Sequence, residues 1–498
     1  MRQGQRCSNS KFNSSIGVIL AAVGSAVGMG NIWLFPYRVG QYGGGAFLVP
    51  YFLFVALFSY VGLSGEFALG RLTGCGTRGA FDYALQTRGR RGGSLIGILP
   101  VLGVLGIAIG YSVVVGWVLN YTVGSLTGAV LTTDAADYFG TLAVSFGSVP
   151  WHLIAVTATA VILILGVSAG IEKISKFMMP VFFLLFLIIA VRVALLPGAA
   201  AGYRYLLAPD WSFLRKPETW VMAMGQAFFS LSINGAGMLI YGSYMKKSED
   251  IVHHSVMTAL LDTLAALLAG FAILPAVFSF GIAPNSGPAL MFITLPRVFQ
   301  QMPGGRVLAV LFFLSVLFAG ITSLINMLEA VSDCLGQGLG LPRTLSTLLV
   351  GAVVFGVGLF LEALPDMGAW MDLITIYIAP FGAVLGAVFI YWVLGLGPLR
   401  QELMLGRERP LWRGFGLLAY CPWKSLPPVS SSRYCPAISL SRALASTEFL
   451  GCHTSTPCMS PLRAKSSARS KESNCSGCAI TAMPPTSLMI SATLTTDG

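Results

Sequence analysis

The sequence predicts an all-α integral membrane protein made of two five-helix halves, and three observations carry that expectation. Of its 498 residues, 55% are hydrophobic and only 10% charged, whereas an ordinary soluble domain carries about 25% charged residues. Apolar runs of about 20 residues recur along the chain, each long enough to cross a hydrocarbon core of about 30 Å. None of them alternates as a barrel strand would. Two of the runs are interrupted at their centres by glycines and polar residues.

Ten spans follow from the runs, at approximately 14–38, 46–70, 95–125, 151–168, 175–196, 219–243, 251–281, 306–334, 343–362 and 369–397. The first contains Gly24-Ser25-Ala26-Val27-Gly28-Met29-Gly30-Asn31. Each glycine costs a helix about 1 kcal/mol relative to alanine. Backbone released from helical hydrogen bonding at bilayer depth is tolerated only where it is buried in protein or lines a cavity. The sixth span carries Phe229-Ser230-Leu231-Ser232-Ile233-Asn234-Gly235-Ala236-Gly237, with hydroxyls, an amide and glycines at its middle. Five spans begin at each break. That is the arrangement of an inverted repeat whose binding site lies between the halves.

Charge gives the orientation. The basic residues cluster on one side, at Arg2, Arg6 and Lys11, at Arg71, Arg78, Arg88, Arg90 and Arg91, at Lys173 and Lys176, and at Lys246 and Lys247. The loop from about 128 to 150 has no Lys or Arg. The positive-inside rule then puts the N-terminus in the cytoplasm and accounts for the net charge of +11 without a nucleic-acid partner. The first span imitates a signal peptide, but apolar character resumes at Ile32-Trp33-Leu34-Phe35 and no exported domain follows. The loops at 128–150, 197–218 and 284–305 are the longer ones, and Pro284, Pro288, Pro296 and Pro303 punctuate the last.

Three segments follow: 1–13 as a cytoplasmic N-terminal segment, 14–397 as the core, and 398–498 as an atypical tail. Composition changes abruptly after Tyr420. The remainder is rich in Ser and Pro and holds Cys421, Cys435, Cys452, Cys458, Cys475 and Cys478, the pattern of a disordered or frame-shifted end. Cys475 and Cys478 have no second pair at zinc-ligand spacing, and His453 stands apart. No nucleophile–base pair, phosphate loop or dinucleotide fingerprint argues for an enzyme.

The motifs GSAVGMGNIWLFP (24–36), Gly43-Gly44-Gly45-Ala46-Phe47, Pro50-Tyr51, Tyr111-x5-Trp117, Gly225 to Ser232, Tyr241-Gly242-Ser243-Tyr244 and Ala319-Gly320-Ile321-Thr322-Ser323 occur in an order that resembles the neurotransmitter:sodium symporter family, in a bacterial version. The resemblance runs from about residue 12 to 397. It implies the LeuT fold, with broken helices 1 and 6, and sodium-coupled import of an amino acid by alternating access across the bacterial inner membrane. A non-transporting sensor on the same scaffold, or an inactive truncated member, are the alternatives.

The resemblance also implies a site. One sodium ion is held by the Ala26 carbonyl, Asn31, Ser230, Asp262 and the substrate carboxylate. A second lies among the carbonyls of Gly24, Val27 and Ala319 and the hydroxyls of Thr322 and Ser323. Unwound carbonyls and hydroxyls are hard oxygen donors suited to such ions. Ala26, Met29, Gly30, Tyr111, Phe229, Ser230, Ser232, Ile233, Gly235 and Met327 bind the substrate, with Tyr111 on its carboxylate and Phe229 as a lid. Gly235 stands where many relatives have an aromatic, which predicts a pocket for a hydrophobic or aromatic amino acid. Chloride-dependent members hold the anion with residues matching Tyr51, Gln226 and Ser230. The intramembrane carboxylate of Asp262 supplies that negative charge instead, so chloride is not required. Leu34 replaces the arginine of the family's outer gate, and Arg38, one turn on, is the expected partner of Asp372. Phe12 and Asn9 replace the tryptophan and arginine of the inner gate. Glu66 and Glu329 are buried by position and expected to be structural.

Overall fold

The computed structural model describes residues 10–281, 290–408 and 411, all within the unit Met1–Cys452. Arg2, Arg6, Asn9, Pro284, Pro288 and the tail from residue 412, with its six cysteines and His453, lie outside the described residues.

Among the described residues, seven helices are long and apolar enough to cross a membrane: Gly45–Thr73 (span 2), Gly93–Thr127 (span 3), Val167–Ala194 (span 5), Ile251–Ser279 (span 7), Gly305–Leu339 (span 8), Arg343–Leu361 (span 9) and Leu364–Leu394 (span 10). Ser15–Ala26 (span 1a) and Gly30–Gln41 (span 1b) form an eighth crossing bent by 60°. The other two expected spans are present as shorter pieces. Val149–Ile164 is span 4, and Pro217–Ser230 (span 6a) and Gly237–Ser243 (span 6b) flank a non-helical stretch. The two expected breaks are therefore both observed.

Local chemistry sets the ends. Ser14 caps span 1a by accepting from Gly17 N, and Asp250 caps span 7 by accepting from His253 N. Gly128 and Gly340 end spans 3 and 8 in the left-handed conformation that glycine adopts freely. Large apolar side chains such as Phe177, Leu184 and Leu187 on span 5 point outward. In water such a surface would be a liability, and in lipid it is the natural face.

Spans 3 and 8 pack along each other, with spans 4, 9 and 10 against span 3 and spans 4, 5 and 9 also reaching span 8's side of the bundle. Span 1a packs on spans 5, 7 and 8, span 6a on the first half of span 2, and span 6b on the second half. Both broken spans are thus enclosed by intact ones. Their free backbone groups are buried in protein, as bilayer physics requires.

Candidate functional site

The first break is narrower than the glycine pattern suggests. Gly24 to Ala26 remain helical, and only Val27 and Gly28 leave the helix before a wide π turn at Gly30–Leu34. The glycines act mainly by absence of bulk. A Cβ on Gly24 would lie 2.9 Å from Thr322 Cβ, one on Gly28 2.7 Å from Tyr111 Oη and 2.9 Å from Ser323 Oγ, and one on Gly30 2.8 Å from the Phe229 ring. Each glycine lets a neighbour expected at the site approach the backbone.

Three of the four protein groups expected around the first sodium meet here. Asn31 Nδ2 donates to Ser230 Oγ (3.1 Å) and to Asp262 Oδ1 (2.8 Å), and Ser230 Oγ donates to Asp262 Oδ2 (2.6 Å). Asn31 Oδ1 accepts from Gly28 N at 3.2 Å, tying the cluster to the break. All three side chains are buried. Ala26, the fourth, lines the adjoining cavity.

The second expected cluster also converges. Ser323 Oγ lies 3.2 Å from Gly24 O, 3.2 Å from Ser25 O and 3.1 Å from Val27 O. Thr322 Oγ1 lies 3.1 Å from Ala319 O. Spans 1a and 8 thus gather carbonyl and hydroxyl oxygens, with no soft or nitrogen donor among them.

Between these clusters is a cavity lined by Ala26, Gly28, Met29, Gly30, Asn31, Tyr111, Phe229, Ser230, Ser232, Ile233, Ser323 and Met327. Tyr111 Oη accepts from Met29 N at 3.2 Å. Ser232, at the unwound centre of span 6, has φ 52°, a strained conformation for a non-glycine residue, and donates to Ser25 O at 3.1 Å. The lining also includes Ser25, Ile107, Phe228, Asn234, Thr375, Ala379 and Pro380, which sequence reading did not single out. Those on spans 3 and 10 sit in unbroken apolar runs, and only packing distinguishes them from lipid-facing neighbours.

Two expectations need correction. Gly235 does not line the cavity. At φ +78° its Cα faces span 10, where a Cβ would meet Gly382 O at 2.8 Å. Its N–H donates to Glu66 Oε1 (2.8 Å), and its carbonyl accepts from Thr77 Oγ1 (3.1 Å). The glycine is required by backbone conformation and close packing, so it does not enlarge the pocket. Nor are Arg38 and Asp372 joined. The buried Arg38 donates to Met222 O on span 6a (3.3 Å), and Asp372 has no ion-pair partner among the described residues. One turn beyond Leu34, the nearest acceptor is a backbone carbonyl of a different span.

Glu66 and Glu329 take structural parts. Glu66 caps the unwound stretch at Gly235, and Glu329 pairs with Arg343 (2.7 Å) while accepting from Tyr244. Phe12 packs edge-on against Tyr241 and Tyr244, and Lys11 Nζ donates to Ser243 O (2.7 Å). The pre-helical segment is thereby anchored to the end of span 6b. Burial and the nearby Lys247 and Arg71 charges push the Lys11 ammonium below its ordinary pKa.

Two broken spans around a buried oxygen-rich centre define a transporter of the LeuT fold, and the chain belongs to the sodium:neurotransmitter symporter family. The sequence model of that family matches residues 9–141 and 139–423. The chain is 38% identical over 354 residues to an uncharacterized sodium-dependent transporter, YhdH, of Bacillus subtilis, covering 70% of this chain and 77% of that one. It is 30% identical over 420 residues to an uncharacterized sodium-dependent transporter of Methanocaldococcus jannaschii, covering 79% and 83% respectively. The crystal structure of MhsT in complex with L-phenylalanine superposes with a TM-score of 0.74 at 28% identity, covering 88% of this chain and 98% of that one. The protein is accordingly a sodium-dependent symporter with sodium as co-substrate.

Proposed function

We propose that the chain imports a hydrophobic or aromatic amino acid together with two sodium ions, by alternating access and without chloride. The observation that carries this is the meeting of Asn31, Ser230 and Asp262 at the break of span 1. A cation there exchanges the Asn31–Asp262 hydrogen bond for two oxygen contacts once the amide turns. The Ala26 carbonyl and the substrate carboxylate complete its shell. A ligand shared between ion and substrate makes each favour the other's binding, and that coupling is reciprocal. The second ion sits among Gly24, Val27, Ala319, Thr322 and Ser323 and fastens span 1a to span 8.

Tyr111 and Met29 N receive the substrate carboxylate beside the helix end at the break, where free N–H groups favour an anion. Phe229 lies over Gly30 as the lid. Support for an apolar side chain comes from Ile107, Phe228, Ile233, Met327, Ala379 and Pro380 in the lining, and from the phenylalanine bound by MhsT. The Asp262 carboxylate accepts from Ser230 and interacts electrostatically with Tyr51, and it replaces the anion that chloride-dependent relatives recruit. Spans 1, 2, 6 and 7 pack together through the broken segments, and we take them as the unit that rocks against the rest of the bundle. The N-terminus is cytoplasmic in the bacterial inner membrane. Each sodium entering down 100 mV, inside negative, contributes about 2.3 kcal/mol before its concentration gradient is counted.

The direct test is binding of labelled L-phenylalanine to the purified chain in sodium, potassium and choline salts. Saturable binding in sodium only is expected, with competition by other large apolar amino acids. Equal binding in all three salts would overturn the shared-ligand scheme.

A further inference from the structure

The end of the cavity away from Tyr111 holds a hydrogen-bond donor with no partner. Span 10 runs antiparallel to span 3, and close contacts fix its register. Trp370 Nε1 donates to Gly106 O (2.8 Å), a Cβ on Gly103 would lie 3.3 Å from Ala379 Cα, and one on Gly382 would lie 2.9 Å from Pro100 Cα. Thr375 and Ala379, which both line the cavity, therefore stand beside Gly106 and Gly103. At 1.5 Å per residue, those positions lie about 7 to 12 Å along span 3 from Tyr111. Span 6 closes the same end, since a Cβ on Gly382 would lie 3.4 Å from Asn234 O. The cavity thus runs from Tyr111, past Ile107 one turn away, to Asn234 and Thr375.

Asn234 is held in one orientation. Its Oδ1 accepts from Ala236 N (3.0 Å) and Gly237 N (2.8 Å), an Asx turn leading into span 6b. Two backbone N–H groups on one amide atom identify it as the oxygen, because the NH₂ end would set donor against donor. Nδ2 is then the outward end. No acceptor among the described residues takes its protons, and the atom is not sealed in protein, so it opens on the cavity that the residue lines. Other polar side chains of the lining are engaged. Asn31 and Ser230 bond within the first ion cluster, and Ser232 and Ser323 sit on carbonyls of span 1a. Thr375 Oγ1 lies 2.7 Å from Met371 O, but a hydroxyl keeps lone pairs to offer whichever way its proton turns.

We propose that Asn234 is a specificity-determining residue and that the preferred substrate is tyrosine, an aromatic amino acid with a phenol at the end of its side chain. The phenol oxygen accepts from Asn234 Nδ2, and the phenol proton is available to Thr375 Oγ1. Phenylalanine fits the same walls but strips water from Nδ2 without replacing it, which carries a desolvation cost. Tryptophan brings a ring N–H, a donor only, and cannot satisfy Nδ2. One net hydrogen bond of this kind corresponds to about tenfold in affinity. This proposal rests on the reading of the cavity as an aromatic amino-acid site with the carboxylate at Tyr111.

The test is the ratio of tyrosine to phenylalanine affinity, measured by binding of each labelled amino acid to the purified full-length chain in sodium. The wild type is expected to bind tyrosine about tenfold more tightly. Asn234→Ser keeps an oxygen for the turn into span 6b but removes the amide donor, and the ratio is expected to fall to within about twofold. Thr375→Val, which removes the opposite hydroxyl at nearly constant volume, is expected to lower the ratio as well and gives a second route should Asn234→Ser not fold. A wild-type ratio near one, with phenylalanine bound, would overturn the role of Asn234 and leave the aromatic site standing. A tenfold ratio that survives both substitutions would overturn it equally. Binding of neither amino acid by the wild type would remove the aromatic reading and this proposal with it.

Discussion

Removing the Ser323 hydroxyl probes the second ion cluster at its centre. In Ser323→Ala, the group lying 3.1 to 3.2 Å from the carbonyls of Gly24, Ser25 and Val27 is lost. The carbonyls are also left short of a donor, which costs about 1 kcal/mol of stability. The larger effect falls on the cation, which loses one of five proposed oxygens. A contact to a charged group in a buried site is worth about 1.5–3 kcal/mol, or roughly 10- to 150-fold in affinity. The assay is the sodium activation curve of labelled phenylalanine uptake in proteoliposomes, which is expected to shift to higher sodium by that factor. Ser323→Cys is the control that separates coordination from packing. It preserves volume but offers a soft sulfur that suits Na⁺ poorly, so it is expected to behave like alanine. An unshifted curve for Ser323→Ala, or rescue by cysteine, would refute the role assigned to the hydroxyl.

Other variants report on separate parts of the account. Asp262→Asn removes the carboxyl group hydrogen-bonded to Ser230, and uptake is expected to become dependent on chloride, measured by exchange for gluconate; wild-type uptake is expected to be indifferent to the exchange. Gly24→Ala places a Cβ 2.9 Å from Thr322 Cβ, a backbone-anchored atom that cannot swing away. Overpacking of about 1–3 kcal/mol is expected to lower the thermal midpoint and to weaken its rise with added sodium. Leu34→Arg restores a charge one turn below Arg38. It is expected to slow labelling of an introduced cysteine at Ile107 by reagents entering past Asp372, and unchanged labelling would count against an outer closure there.

Much of this arrangement is legible in the sequence because bilayer physics leaves few uses for a glycine or a polar side chain at mid-span. Asn31, Ser230 and Asp262 stand out for that reason, and the structure brings them together. The second cluster is legible only beside the first break, since Thr322 and Ser323 alone read as helix-packing residues. Other features are hidden. Gly235 reads as a pocket residue because many relatives of the resembled family have an aromatic there, yet a left-handed turn carries it round to face span 10. Arg38 shares a helical face with Leu34 but finds Met222 O before any carboxylate. Thr375, Ala379 and Pro380 have no local signature, because their inward position depends on how span 10 packs.

Coupling of substrate to sodium is the central claim, and concentrative uptake tests it most directly. Proteoliposomes containing the full-length chain are given labelled phenylalanine with an inward sodium gradient, with equal sodium on both sides, or with no sodium. The account predicts accumulation above the external concentration only with the gradient, collapse on adding a sodium ionophore, and an inward positive current. Sodium-dependent binding without accumulation, or accumulation that survives the ionophore, would contradict it.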